Sequence, residues 1–206
     1  MKAKVCALVL AALIAGQARA VPVAWPQASQ ASDWLQKFEG ELQAHDSATA
    51  VLQAWCDAHG LASGARITAR QVKTVFKPPG PLARQALNYG PKDKVRYRRV
   101  DLLCGDRVLS QADNWYLPAR LTPEMNRQLD TTQTPFGVVV APLDFHRRVL
   151  TTLFLFNPGL GAESKPVVIP RQILQHAALL YTGAGAPFSF VQETYTDQVL
   201  AFTPPP

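Results

Sequence analysis

Between residues 96 and 114 the chain carries Arg96, Arg98, Arg99, Asp101 and Asn114 on what reads as one β-hairpin. That is more charge and hydrogen-bonding capacity than a plain core hairpin needs. The floor of a polar pocket is one explanation. A sheet with one wet face would carry the same residues, and the hairpin alone does not choose between the two. Other chemistries find less to rest on. His45, His59, His146 and His176 are dispersed without i, i+4 or HxH spacing, and no CxxC occurs, so no metal site is expected. No GxGxxG, P-loop or Gly-x-Ser-x-Gly motif is present, which leaves nucleotide binding and serine hydrolysis without a basis, and no cofactor is expected.

The hairpin is the element that must position these side chains. Tyr97 to Cys104 suits a strand, Gly105-Asp106 signals a turn, and Val108 to Leu117 resumes a strand before Pro118. Upstream, Trp34, Leu35, Phe38 and Leu42 fall at helical spacing within Ala31 to Gln43. Ser47 is an N-cap candidate for a second helix over Thr49 to His59, ended by Gly60. Arg66 to Phe76 alternates as a strand. Lys77 to Lys94, with four prolines and two glycines, reads as a long surface connection with one helical turn at Leu82 to Leu87. Downstream, Thr122-Pro123-Glu124 starts a helix that should run to about Asp130. Phe136 to Pro142 and Arg147 to Phe156 read as two strands, the second the better one. Pro170 to Leu180 fits either a strand or a short helix, and Phe188 to Phe202 alternates as a strand.

Composition sets the frame for these elements. The 206 residues are 48% hydrophobic and 17% charged, an ordinary globular balance for one domain. Lys2 and Lys4, an apolar run from Val5 to Ala15, and Ala18-Arg19-Ala20 together have the form of a secretory signal cleaved after Ala20. Removal of Lys2, Lys4 and Arg19 leaves 18 basic against 15 acidic residues, too little and too scattered to predict nucleic-acid binding. The signal run is too short to span a membrane, so a periplasmic or secreted protein without a stable membrane anchor is expected. Export leaves Cys56 and Cys104, which an oxidising compartment permits to bridge, although buried free thiols fit the count as well.

Several pieces in order resemble one family. Arg99 followed by Val-Asp-Leu-Leu-Cys-Gly-Asp, then Ala112, Pro118, Thr134-Pro135-Phe136-Gly137 and Glu193 in a Val-Gln-Glu-Thr-Tyr strand resemble the bacterial chorismate lyases, as does Asp46-Ser47-Ala48-Thr49 ahead of the first core helix. The resemblance covers about residues 46 to 202. It implies an α+β domain whose mostly antiparallel sheet of five or six strands is covered by helices. Together with the signal segment it gives the expected division: a signal peptide (1–20), an N-terminal extension with a helix (21–45), the chorismate lyase-like domain (46–202) and a disordered tail (203–206).

The same resemblance assigns roles. Arg99 would grip a ligand carboxylate and Glu193 would accept a hydrogen bond from a ring hydroxyl at the far end, both as catalytic residues facing one pocket. Phe136 and Gly137 would supply backbone donors, with Ala48 and Asn114 lining the site. Gly137 could equally be a turn glycine with positive φ. The chain departs from the family at Asn114, where an arginine is usual, at Ala48, where a larger apolar residue is usual, and at Asp101, placed to compete for Arg99. The expectation is an exported, monomeric lyase turning chorismate into 4-hydroxybenzoate and pyruvate. The alternative is a non-catalytic binding module for a small aromatic carboxylate.

Overall fold

A computed structural model describes residues 21–158 and 163–203, so the expected signal segment (1–20) and most of the expected tail lie outside the described residues. In chain order the strands are β1 (Ala24–Trp25), β2 (Ile67–Gln71), β3 (Arg96–Cys104), β4 (Arg107–Tyr116), β5 (His146–Phe154), β6 (Val167–Val168), β7 (Gln172–Tyr181) and β8 (Pro187–Thr196). The helices are α1 (Ala28–Ala44), α2 (Ala48–Ala58), α3 (Pro81–Leu87), α4 (Pro123–Thr131) and α5 (Phe136–Val139). Six strands form one antiparallel sheet in the order β2-β3-β4-β8-β7-β5, and β1 pairs with β6 apart from it. This is the α+β architecture expected.

Alternation along the strands separates two cores. Val100 and Leu102, Ala112 and Tyr116, Val191 and Tyr195, and Ala178 and Leu180 face α1, α2, α4 and α5. Their sequence neighbours Trp115, Ala177, Leu179 and Phe190 face the other way, where Ala83 and Leu87 of α3 cover them. Strands buried on both faces lose the apolar-polar alternation that would reveal their sides. Helix α1 belongs to the main core, since Ala31, Leu35, Phe38 and Leu42 are all buried there.

Three local readings change. The β-branched run after Phe136 is not a strand: it forms α5 and a 3-10 turn at Ala141–Leu143, and Val139 and Val140 are buried. Proline at 135 and 142 brackets a segment too short to join the sheet, and packing overrides the strand propensity of valine. The strand begun near Arg66 ends at Gln71, short of Phe76. Gln172–Tyr181 is a strand paired on both sides. Helices α2 and α4 start where their caps place them, Ser47 Oγ accepting from the amide of Ala50 and Thr122 Oγ1 from that of Met125.

Cys56 of α2 and Cys104 at the end of β3 form a disulfide, with their Cα atoms 6.3 Å apart. It ties the helix that roofs the sheet to the hairpin that floors it.

Candidate functional site

The register of the β3–β4 hairpin decides which arginine faces inward. The turn closes with Cys104 opposite Arg107, and Gly105 takes a positive φ of 57°. Leu103 then faces Val108 but Leu102 faces Ser110, so Leu109 is an extra residue in β4. Such a bulge moves the pairing by one and turns one strand over relative to the other. Arg98 is therefore opposite Asn114, and Arg99 opposite Asp113. Without the bulge Arg99 would have shared a side with Ala112 and Asn114, which is the arrangement expected above.

Arg99 consequently lies on the face away from the roofing helices. Its Nη1 sits 2.7 and 2.8 Å from the two carboxylate oxygens of Asp113, which also accept from Lys77 Nζ at 2.6 Å and from the Tyr97 hydroxyl. Burial opposes ionisation of Asp113, but the hydrogen bonds from Lys77, Tyr97 and Arg99 hold its carboxyl below the usual range. Burial and the adjacent Asp113 push the Tyr97 hydroxyl up to about 12. Arg99 is thus neutralised, and Asp101 plays no part in that: it pairs with Arg70 at 2.9 Å and accepts from Gln111 at 3.1 Å.

The inward face builds a cavity of about 50 Å³. Arg98, Val100, Ala112 and Asn114 form its floor, with Ser189 and Glu193 of β8 beside them. The loop and first residues of α2, Asp46 to Thr49, together with Phe136, Gly137 and Phe145, close it from above, and Arg147 of β5 closes one end. Five of the residues singled out in the sequence, Glu193, Asn114, Ala48, Phe136 and Gly137, line this one cavity, and Arg99 does not. Gly137 is not a positive-φ glycine: it sits within α5, where a Cβ would lie 3.3 Å from both Ser47 Oγ and Thr49 Oγ1. Its role is the close approach of α5 to α2.

Arg98 is the unusual member. It is 4% exposed, its Nε has no hydrogen-bond partner, and its Nη2 reaches the carbonyl of Thr134 only at 3.5 Å. Among the described residues it has no ion pair. Burial lowers its pKa, yet a guanidinium stays protonated across any working pH. A buried charge without a partner is costly and asks for an anion.

Arg147 and Glu193 hold the opposite end as a pair. Arg147 Nη2 donates to Glu193 Oε2 at 2.6 Å, and Tyr195 adds a hydrogen bond to the same oxygen at 3.1 Å, which leaves Oε1 as the remaining acceptor. The two side chains are 2% and 7% exposed. Arg147 also donates to the Leu42 carbonyl and to His176 Nδ1 at 3.3 Å, which makes Nδ1 an acceptor and puts the imidazole proton on Nε2, 3.5 Å from Glu39. Burial and then Arg147 keep His176 neutral by pushing its pKa down. At the rim, Asp46 accepts from the amide of Arg147, and that bond lowers its pKa.

Sequence reasoning named Arg98 only among the hairpin's charges, with the gripping role on Arg99, and missed Arg147. Both stand in pairs, Arg98-Arg99 and Arg147-Arg148, where one member must face in and one out. Glu193 balances Arg147, and the remaining charge of Arg98 favours an organic anion over a metal cation. The chamber's volume of about 50 Å³ is below the ~150 Å³ that admits a benzene ring, so it takes an acid group, and an aromatic body would extend out of it.

The uncharacterised protein y4mC of Sinorhizobium fredii (strain NBRC 101917 / NGR234) is 44% identical over 182 residues, covering 83% of this chain and 77% of its own length. No family model matches the chain. Among solved structures, a possible transcriptional regulator, YydK, from Bacillus subtilis is similar at a TM-score of 0.43 and 14% identity, over 70% of this chain and 65% of its own. The ligand-binding domain of a putative GntR-family regulator from Bordetella bronchiseptica gives 0.42 and 18%, over 65% and 85%. A GntR-family regulator from Enterococcus faecalis V583 gives 0.43 and 14%, over 67% and 99%. Likeness of that degree says nothing of a ligand.

Proposed function

This chain belongs to one family with the y4mC protein of Sinorhizobium fredii, and we propose that it is an exported module that binds a small organic carboxylate beneath α2 and α5. The observation that carries the reading is Arg98, a buried guanidinium on the floor of a cavity, without an acidic partner among the described residues. A carboxylate supplies the missing charge and accepts from two guanidinium nitrogens at once. The resemblance to chorismate lyases supports the same chemistry once the gripping role passes from Arg99 to Arg98.

Calorimetric titration with 4-hydroxybenzoate tests it. Arg98→Met should weaken binding at least about 30-fold, the effect of removing one partner of a desolvated charge pair, and Arg99→Met should leave it unchanged. Equal affinities for wild type and Arg98→Met would refute the assignment.

Cleavage of chorismate is the second reading, favoured by Arg98 and Glu193 sharing one cavity. Against it stand the cavity's size and the commitment of Glu193 Oε2 to Arg147 and Tyr195. Pyruvate release from chorismate by the purified protein, abolished in Glu193→Gln, would establish the lyase. Its absence beside Arg98-dependent binding fits the binding module. Export agrees with the Cys56–Cys104 disulfide, since such bonds persist in oxidising compartments. N-terminal sequencing of protein from the cell envelope should read from Val21.

A further inference from the structure

Outside the cavity lies a groove of about 790 Å³ along α2 and α5. Ser47, Thr49, Gly137 and Phe145 line both hollows. The wall between them is thin at Gly137, where backbone meets the Ser47 and Thr49 hydroxyls without a side chain intervening. Thr134 borders the groove, and its carbonyl is the one 3.5 Å from Arg98 Nη2. The inner charge therefore lies just behind the groove.

Size and charge then divide the ligand. The inner chamber of about 50 Å³ admits an acid group and little more, whereas the groove is within the roughly 300–1,000 Å³ range of small-molecule sites. Ile67, Pro135, Val138, Ala141 and Phe145 give the groove an apolar lining. Inside, Glu193 already neutralises Arg147, and the other carboxylate of the lining, Asp46 at the rim, is half exposed and held by the Arg147 amide and His146, so Arg98 leaves room for one negative charge. Arg66 on the groove rim is exposed, and solvent screens its charge.

On the reading of the cavity as a carboxylate site, we infer that the ligand is a monocarboxylate with an extended apolar body, its head on Arg98 and its body in the groove between α2 and α5. Phe145 is the largest of the four shared residues, so the inference places the passage between the two hollows at its ring.

The test is titration of the mature protein with straight-chain acids from propionate to octanoate, with octanol as the uncharged control. Affinity should rise by about fourfold for each methylene placed in the groove. Val138→Glu, at a position 54% exposed, should flatten that rise, and Leu153→Glu, on the exposed edge strand β5, should leave the series as in wild type. Arg98→Met should abolish binding of the acids, with its circular dichroism and melting confirming the fold. A flat series that still depends on Arg98 would overturn the groove and spare the carboxylate site. A rise that survives Arg98→Met, with octanol binding as well as octanoate, would overturn the carboxylate head. No binding of any acid would overturn both.

Discussion

Arg98 and Arg99 are adjacent, chemically identical and opposite in fate. One is paired with Asp113 on the far face, and the other is buried beneath α2 and α5 without an ion pair among the described residues. Sequence alternation shows that they must diverge, but not which way, because Val100, Leu102, Leu103 and Trp115 make both faces apolar. A buried unpaired charge opposes folding, so Arg98→Met should stabilise the protein by on the order of 1 kcal/mol or more in denaturant unfolding while it removes ligand binding. The Arg147–Glu193 pair behaves otherwise. Arg147→Met or Glu193→Leu alone should cost about 3–5 kcal/mol by stranding the partner, and the double variant should be close to neutral. His176 adds a pH dependence. Arg147, Glu193, Glu39 and Tyr195 surround it, and its folded pKa lies below the unfolded value of about 6.5. The unfolded chain then binds the proton first, so this contribution is complete above that value and is lost as pH falls from it toward the folded pKa. His59, also lowered by burial, acts in the same window. The melting temperature should fall between pH 7 and 5, and His176→Gln should reduce the slope.

Elements differed in how plainly the sequence announced them. Ser47 and Thr122 marked their helices because capping chemistry is local. Ser47→Ala should cost about 1 kcal/mol in thermal or denaturant unfolding. The Gly105 turn was equally local, and its positive φ explains the residue. Leu109 was not legible: a bulge has no strong residue signature, yet it chose the inward face of the whole hairpin. The valines of α5 misled for a related reason, since their conformation follows from packing against α2 and α4 rather than from preference. At the site itself, Glu193, Asn114, Ala48, Phe136 and Gly137 were placed together by the resemblance to chorismate lyases, whereas the arginines depended on strand parity.

For the whole molecule, antiparallel strands and covering helices were readable from hairpin and cap signals, but the order β2-β3-β4-β8-β7-β5 was not, because it rests on contacts between distant segments. One covalent link spans those layers. Cys56 and Cys104 are 48 residues apart, a loop whose closure stabilises by about 4 kcal/mol in the chain-entropy account. Replacing both cysteines by alanine should lower the unfolding free energy by about that amount, and a reducing agent should lower the melting temperature of the wild type but not of the variant. Among the described residues no helix is long and apolar enough to cross a membrane.

Arg98, rather than Arg99, is the arginine proposed to meet the ligand. Arginine side-chain Nε–H resonances followed by NMR during titration with 4-hydroxybenzoate test it most directly, each signal assigned by its loss in Arg98→Met or Arg99→Met. The Arg98 signal should move and saturate while that of Arg99 stays in place. A saturating shift at Arg99 with Arg98 unmoved would contradict the account.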